Sequence, residues 1–251
     1  MKIGIIGFGN LGRALASGLI KSGSAGDGDI YICENSPEAR AIAENEPFFA
    51  HTSEDINYVI ANTDVIFLTV KGYVFEKLSA EIDRRGLEGK PIVSCMAGET
   101  FEKISALIGE ANLIRAMPSL AISFCDGIIA YTKSPPELVK IFNKFGYAFE
   151  TEPDRIENVM AFSACGLGYA AYLIDAFAVA GEKMGFPIDQ AAHIAKLTFN
   201  NAVERGGFKE TVKAVATPGG ATEQGVIYMD ECDVQGIVAR AVRKAYDRMT
   251  K

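Results

Sequence analysis

The sequence is poor in the residues that build metal sites and disulfide frameworks. Among its 251 residues only His51 and His193 are histidine, and the five cysteines are widely spaced with no Cys-x-x-Cys pair. Zinc sites need clustered Cys and His ligands, and disulfide frameworks need an even set of cysteines in a short secreted chain. We therefore expect no metal, and free thiols in a reducing compartment.

The sequence also lacks a basic run and an apolar leader. Its net charge is −7, which disfavours nucleic-acid binding because phosphates are neutralised by clustered Lys and Arg. No apolar segment followed by a cleavage site precedes the first β-rich run, so we expect a cytoplasmic protein. The one long apolar stretch, residues 159–181, contains Asp175, and we interpret it as a buried helix of a soluble protein rather than a membrane span.

Short β-rich runs alternate with helical patterns in the first half of the chain. Apolar runs predict strands at residues 3–6, 30–33, 65–70, 92–94, 113–116 and 127–131, with helical stretches between most of them, including 11–22 and 38–44. The 65–70 run is apolar throughout, as in a parallel strand covered on both faces. This alternation predicts an α/β fold with an N-terminal Rossmann-type doubly wound parallel sheet over residues 1–152.

The second half carries only helical patterns. We predict helices at residues 157–184, 187–205, 208–215 and 222–250, with glycine and proline separating the first three. The domain boundary is placed at residues 152–153, which leaves an all-α C-terminal domain over 153–251. These helices are rich in Ala and Gly, and that composition fits a helical dimerisation interface and an intrachain core equally well.

A glycine-rich fingerprint lies between the first strand and the first helix. Residues 7–12 read Gly-Phe-Gly-Asn-Leu-Gly, and a GxGxxG in this context is typical of dinucleotide binding. The first glycine permits the tight turn, the second lets the backbone approach the pyrophosphate, and the third lets helix and strand pack closely. The pyrophosphate then lies at the helix N-terminus. We predict an NAD(P)H-dependent oxidoreductase whose cofactor contacts are Gly7, Phe8, Gly9, Asn10, Leu11 and Gly12.

The end of the second strand bears on the choice of cofactor. Glu34 stands there, where a carboxylate can bind both ribose hydroxyls of NAD and repel the 2′-phosphate of NADP. Asn35, Ser36 and Arg40 follow, and these can hold a phosphate if Glu34 turns away. We expect NADH, with NADPH as the alternative.

The turns after the third and fourth strands are further candidates for the cofactor groove. In open α/β sheets, ligands bind outside the carboxyl ends of the strands. We therefore predict cofactor contacts at Val70, Lys71, Ala97 and Gly98. Lys71 either contacts phosphate or substrate, or is an unengaged surface lysine.

Four segments, in order, resemble the pyrroline-5-carboxylate reductase family. They are GFGNLGRALASGL at 7–19, FLTVK at 67–71, LIRAMPS at 113–119 and VATPGGATEQG at 215–225. The resemblance implies hydride transfer from the nicotinamide to the carbon of a ring C=N bond, the last step of proline biosynthesis. It also implies a homodimer or higher homo-oligomer that forms through the C-terminal helices and completes each active site.

The resemblance adds a substrate site and extends the cofactor site. Met117, Pro118 and Ser119 should contact the cofactor, with Ser119 in place of the family's usual Asn. The Pro-Gly-Gly segment leads into a helix, where backbone N–H groups can form an anion nest for the substrate carboxylate. Thr222 is the candidate catalytic residue, through a hydrogen bond to the carboxylate or the ring nitrogen, or else only a helix N-cap. The predicted substrate-binding residues are Gly219, Gly220, Ala221, Thr222 and Thr217.

The chain departs from the family pattern where substrate contacts are expected. Ser119-Leu120-Ala121 replaces Asn-Thr-Pro, the segment at 164–168 replaces Gly-Ser-Gly-Pro-Ala, Gly72 stands where proline is usual, and Glu223-Gln224 replaces smaller or apolar residues. Three alternatives therefore stay open: a reductase of another cyclic imine, a reductase of a deazaflavin, and a non-catalytic NAD(P)-binding regulator.

Overall fold

Within the residues that the computed structural model describes, 1–109 and 111–251, eight strands form one sheet. They are β1 (Ile3–Ile6), β2 (Ile30–Cys33), β3 (Ala50–Ser53), β4 (Val65–Leu68), β5 (Pro91–Ser94), β6 (Asn112–Pro118), β7 (Gly127–Tyr131) and β8 (Gly146–Glu150). Their order in the sheet is β3-β2-β1-β4-β5-β6-β7-β8. The order reverses between β1 and β4, and such a switch point is where ligands bind in open α/β sheets.

The sheet is parallel from β3 to β6, but β7 pairs with β6 in the antiparallel sense. The predicted doubly wound parallel sheet thus accounts for β3 to β6, and the sheet continues beyond it through this one antiparallel pair. A parallel crossover needs about a dozen residues or more, and the connection through the 3₁₀ turn at Leu120–Phe124 is shorter. β8 again runs parallel to β7.

Helices cover both faces of the sheet. They are α1 (Asn10–Lys21), α2 (Pro37–Glu44), α3 (Ile56–Ala61), α4 (Gly72–Leu78), α5 (Phe101–Ile108) and α6 (Pro136–Lys144). Neighbouring residues of a strand point to opposite faces, so Ile5 packs with Leu15 and Leu19 of α1, while Ile6 packs with residues of α3, α4 and α5. These two apolar layers make the doubly wound arrangement that the strand–helix alternation predicted.

Two edge strands were absent from the sequence-based prediction. β3 has the sequence Ala-His-Thr-Ser and β8 has Gly-Tyr-Ala-Phe-Glu. None of their residues is fully buried, in contrast to the fully buried β1, β2 and β4. An edge strand needs no continuous apolar run, and such a run was the signal by which the other strands were recognised.

The chain divides into two compact units, residues 1–164 with 246–251, and residues 165–245. The predicted domain boundary at 152–153 stays a prediction. Before the division come α7 (Ile156–Val159) and a π-helical turn at Met160–Ala164, and the remaining helices are α8 (Cys165–Lys183), α9 (Ile188–Arg205), α10 (Phe208–Val215), α11 (Ala221–Glu231) and α12 (Val234–Met249). Residues 165–245 are helical apart from their turns, as predicted.

Two predicted long helices are interrupted. The 157–184 helix contains the π-helical turn at Met160–Ala164, where Ser163 Oγ donates to the Val159 carbonyl at 2.8 Å. The 222–250 helix breaks at Asp233, whose φ is +52°. The Asp233 carboxylate accepts from the Gly236 N–H at 3.2 Å and pairs with Arg240 at 2.8 Å. This aspartate caps the start of α12. The prediction of one continuous helix rested on the spacing of apolar residues, which does not reveal a capping residue of this kind.

The second unit leaves much of its apolar surface exposed. Phe177 of α8 meets Phe199 of α9 edge-on, with ring centroids 5.8 Å apart. In contrast, Tyr172, Met184 and Phe208 are each at least two-thirds exposed. The stretch Pro153–Lys183 is also long and apolar enough to cross a membrane, which by itself is weak evidence of a membrane span.

Candidate functional site

The three fingerprint glycines are required for different reasons. Gly7 has a φ of +98°, and a Cβ there would strike Val70. A Cβ on Gly12 would strike the Gly7 carbonyl, whereas among the described residues no atom beyond the adjoining stretch of chain lies within 4 Å of the Cβ position of Gly9. The space over Gly9 is therefore open to a ligand. Gly9 also caps α1 without a side-chain hydrogen bond, which leaves the first N–H groups of that helix available to an anion.

The loops after β1 and β4 are held together by Thr69. Its hydroxyl lies 3.0 Å from the Ile6 carbonyl and 2.7 Å from the Gly7 carbonyl. Its backbone N–H donates to Ile6 at 3.0 Å. Together with the close approach of Val70 to Gly7, these bonds hold the two loops against each other at the switch point. Thr69 lies in the FLTVK segment but was not among the predicted site residues.

Glu34 turns back onto the fingerprint loop. One carboxylate oxygen accepts from the Phe8 N–H at 2.7 Å and the other accepts from the Ser36 N–H at 2.9 Å. The negative charge is therefore held at the end of β2 beside the glycine-rich turn. Phe8 itself is buried, whereas Gly9 and Asn10 are exposed, and Leu11 packs against the core.

The residues that follow Glu34 are largely engaged within the chain. Arg40 pairs with Glu54 and donates to the Glu34 carbonyl at 3.2 Å. Ser36 caps α2, since its hydroxyl accepts from the Ala39 N–H and donates to Glu38 at 2.7 Å. Asn35 is exposed. The groups that were alternative ligands for a 2′-phosphate are thus already partnered at Ser36 and Arg40.

The loop after β5 lies close to the C-terminal end of the chain at Gly98. Gly98 has a φ of +70°, and a Cβ there would strike the carbonyl of Met249 near the chain's C-terminus. Ala97 is exposed. Lys71 is exposed and precedes α4 as its N-cap residue, with no hydrogen bond from its side chain to the helix. These placements leave Val70, Lys71, Ala97 and Gly98 at the carboxyl ends of adjacent strands.

A buried ion pair underlies the same loop. Arg115 of β6 is 2 % exposed and its guanidinium donates to Glu157 at 2.7 Å and to the Met96 carbonyl at 3.2 Å. Its Nε is buried and has no hydrogen-bond partner within residues 1–109 and 111–251. The pair connects the β5 loop with α7, just before the π-helical turn. Neither Arg115 nor Glu157 was a predicted site residue.

The other residues of the RAMPS segment are buried. Met117 packs with Ala130 and Ile156, and Pro118 ends β6. Ser119 is 4 % exposed, and its hydroxyl oxygen accepts from the Ile128 N–H at 3.0 Å. That bond ties Ser119 to β7 and leaves the hydroxyl proton free to donate. Their predicted contacts with the cofactor stay predictions.

The Pro-Gly-Gly segment opens α11, as predicted, but its anion nest is partly filled. Gly219 has a φ of +75°, and its N–H donates to the Glu223 carboxylate at 2.7 Å. The Gly220 N–H donates to the Thr217 carbonyl at 2.8 Å. Ala221 and Thr222, as the first two helical residues, have N–H groups without an intrahelical acceptor.

Thr222 is not the N-cap of α11. The cap is Gly220, which makes no side-chain hydrogen bond, and Thr222 is the second residue of the helix. The interpretation of Thr222 as only a helix cap was therefore wrong, because the helix begins one residue earlier than predicted. Thr222 and Thr217 are both exposed. The predicted cofactor residues lie in the first unit and the predicted substrate residues in the second.

Two buried thiols near the predicted cofactor residues are held protonated. Burial, with a contribution from Glu34, raises the pKa of Cys33 to about 12. Burial likewise raises the pKa of Cys95 to about 12. Neither thiol is a nucleophile at neutral pH. Among the described residues, no group of three or more His, Cys, Asp or Glu is arranged to hold a metal ion.

Comparison with known proteins accounts for both units. Residues 153–251 match the family model for pyrroline-5-carboxylate reductase dimerisation, and residues 2–98 match the model for NADP oxidoreductase, coenzyme F420-dependent. The pyrroline-5-carboxylate reductase of Escherichia coli (strain K12) is 28 % identical to this chain, and that of Aquifex aeolicus (strain VF5) is 27 % identical. Each alignment covers 100 % of this chain and 97 % of the relative.

The chain is thus similar over its full length to pyrroline-5-carboxylate reductases. The solved structure of Plasmodium falciparum pyrroline carboxylate reductase with NADP bound has the same fold, with a TM-score of 0.89 over 100 % of this chain and 97 % of that one, at 21 % identity. The fold class expected from the sequence is thereby confirmed, and the comparisons bear out the resemblance to pyrroline-5-carboxylate reductases.

Proposed function

We propose that this protein reduces the C=N bond of 1-pyrroline-5-carboxylate to give proline, with NAD(P)H as the hydride donor. The full-length similarity to reductases of that name supports this substrate. The observation in the structure that supports a dinucleotide is the open space over Gly9 at the start of α1, between two glycines that protein atoms confine. A dinucleotide whose pyrophosphate lies over Gly9 would supply the hydride from its nicotinamide ring.

We infer a preference for NADH from the environment of Glu34. Two backbone N–H groups hold its carboxylate beside the fingerprint loop, where it can accept from ribose hydroxyls and repel a 2′-phosphate. Arg40 is the cation nearest to Glu34 along the chain, and its pairing with Glu54 partly neutralises its charge. The predicted contacts in the loops after β4, β5 and β6 would complete the groove.

The second unit would bind the substrate. Free N–H groups at the start of α11 suit the carboxylate of an imino acid, and the exposed hydroxyl of Thr222 can donate to that carboxylate or to the ring nitrogen. A protonated imine is already electrophilic, so the protein has to orient it rather than supply a strong base. The carboxylate of Glu223 already accepts a hydrogen bond from the Gly219 N–H, so the substrate carboxylate would compete with Glu223 for this donor.

A homo-oligomer through the C-terminal helices is the expected assembly, with a dimer as its unit. The match to a dimerisation model supports it, as does the exposed apolar surface of these helices. Burial of that surface by a second subunit is favourable in proportion to its area. The same assembly accounts for the apolar stretch 153–183 without a membrane. A cytoplasmic location and the absence of a metal remain predictions.

The test is a spectrophotometric assay of NADH, and then NADPH, with purified protein and pyrroline-5-carboxylate. Loss of the reduced-cofactor absorbance that depends on the imino acid, with proline as the product, would support the proposal. Turnover of other cyclic imines but not of pyrroline-5-carboxylate would keep the reaction and change the substrate.

Two other outcomes correspond to the remaining alternatives. The similarity of residues 2–98 to a coenzyme F420-dependent family makes a deazaflavin the second hydride partner to assay with NADP(H). Nucleotide binding without turnover of any of these substrates would instead favour a regulatory role.

A further inference from the structure

Gly72, the first residue of α4, owes its lack of a side chain to a neighbouring residue and not to its backbone. Its φ is not among the positive values found at other glycines. A Cβ placed on it would lie within 3 Å of the Cγ, Cδ and Oε1 atoms of Glu99. The side chain of Glu99 therefore fills the volume that any other residue at position 72 would need.

Glu99 reaches this position from the loop between β5 and α5. Its carboxylate pairs with Lys103 of α5 at 3.3 Å, and its side chain is only 20 % exposed, against 65 % for Lys103. Exposed ion pairs contribute little to stability, and the Lys103 pair does not require Glu99 to lie over Gly72. The contact with Gly72 is thus a separate feature that joins the loop after β5 to the loop after β4.

This contact continues a series of contacts along the carboxyl edge of the sheet. Thr69 and Val70 fix the β4 loop against Gly7 of the β1 loop. Glu99 then fixes the β5 loop against the β4 loop. Precise placement of binding groups requires support from neighbouring side chains. All three loops contain residues predicted to bind the dinucleotide, so the affinity for the dinucleotide depends on the relative positions of these loops.

We propose that Glu99 is a positioning residue of the cofactor site: seated on the bare Cα of Gly72, its side chain sets the distance between the β4 and β5 loops that dinucleotide binding requires. The proposal rests on the proposed function, since it presumes that these loops bind NAD(P)H. It concerns the shape of the Glu99 side chain more than its charge.

The decisive experiment is a double-mutant cycle on cofactor affinity. The variants are Gly72→Ala, Glu99→Ala and the combination, with NADH dissociation constants measured by fluorescence titration and melting temperatures measured without cofactor. Gly72→Ala only has to push aside the end of a flexible side chain, so the fold should survive. We expect each single variant to raise the dissociation constant roughly three- to tenfold, and the double variant to match a single one because both remove the same contact.

Two further variants separate positioning from general damage. Glu99→Gln keeps the shape of the side chain and should bind NADH nearly as the wild type does. Gly26→Ala, in the turn before β2, places a methyl group no closer than 3.4 Å to any neighbour, and should change neither quantity.

The possible results distinguish the two proposals. Tight NADH binding by the wild type that is unchanged in Gly72→Ala and Glu99→Ala would overturn the positioning role and leave the proposed function intact. Additive losses in the double variant would also overturn it, because the two residues would then act separately. A wild type that binds neither NADH nor NADPH would overturn both proposals.

Discussion

The backbone N–H of Gly219 donates a hydrogen bond to the carboxylate of Glu223, 2.7 Å away at the start of α11. A negatively charged side chain thus occupies part of the nest proposed for the carboxylate of the substrate. The same contact resembles a helix capping interaction, in which an acidic residue in the first turn accepts from a backbone N–H just before the helix. The two roles differ in what they predict for substrate affinity.

We expect Glu223→Gln to lower the KM for the imino acid. The amide still accepts from Gly219, so the turn is kept, while the like-charge repulsion disappears. For charges about 4 Å apart that are fully screened by water this repulsion is about 1 kcal/mol, or roughly fivefold in KM, which we take as the lower bound. Glu231→Gln, at the other end of the same helix, makes the same change of net charge and should leave KM unaltered. An unchanged KM in Glu223→Gln would assign Glu223 to capping alone.

Thr222→Ala should reduce kcat/KM for the imino acid on the order of 10²-fold, the usual cost of removing one donor aimed at the reacting group. Thr222→Ser keeps the hydroxyl and should recover most of the activity. Steady-state kinetics with saturating cofactor measure both. Because Gly220 and not Thr222 caps α11, the alanine variant should retain its melting temperature. Wild-type kinetics in Thr222→Ala would remove Thr222 from the substrate site.

Glu34→Gln should shift cofactor preference toward NADPH. The amide oxygen can still accept from one of the two backbone N–H groups that Glu34 binds, whereas its NH2 group cannot accept from the other. The charge that repels a 2′-phosphate is lost. We expect the ratio of kcat/KM for NADPH to that for NADH to rise at least about tenfold, equivalent to 1.4 kcal/mol. Glu44→Gln, exposed at the far end of α2, is the control. A ratio that stays constant in Glu34→Gln would show that Glu34 does not select the cofactor.

The sequence was sufficient where one strong local signal decides the structure. Buried strands such as β1 and β4 are continuous apolar runs, and the fingerprint glycines are recognisable without coordinates. It was insufficient where the outcome depends on partners distant in the chain. Neither the fit of Glu99 over Gly72 nor the pairing of Arg115 with Glu157 has a pattern in sequence, since each joins residues from separate elements. Glu223 was visible as a departure, but its bond to Gly219 depends on the geometry of the turn.

Alkylation should discriminate among the cysteines of the folded protein. Burial raises the pKa of Cys33 and of Cys95 to about 12, so both stay protonated thiols at pH 8 and should react only on unfolding. Cys232 is exposed and should react first. Mass spectrometry after brief iodoacetamide treatment, with and without denaturant, identifies the labelled residues. Rapid labelling of Cys95 in the native protein would mean that the β5 loop opens readily.

The same two thiols should make stability depend on pH in the alkaline range. A thiol ionises near pH 8.5 in an unfolded chain, and the raised pKa in the folded state favours the protonated form. Their contribution to the free energy of unfolding is therefore complete below about pH 8.5 and declines as the pH rises toward 12. Urea unfolding at pH 7.5 and pH 9.5 measures this decline. It should be smaller in Cys33→Ala, and an equal decline in that variant would exclude Cys33 as a cause.

Glu157→Ala should destabilise the first unit strongly. It would leave the guanidinium of Arg115 buried, with the backbone carbonyl of Met96 as its one remaining acceptor among the described residues. Breaking a buried pair in this way costs roughly 3–5 kcal/mol. Glu157→Gln keeps an acceptor for the guanidinium and should cost less, while Arg115→Met with Glu157→Leu removes both charges and should recover part of the loss. Urea unfolding followed by circular dichroism gives the free energies. Equal losses of unfolding free energy in Glu157→Ala and in the double variant of Arg115 and Glu157 would mean that Glu157 acts through packing. If its role is electrostatic, the variant with one unpaired buried charge should be less stable than the variant with no charge at this site.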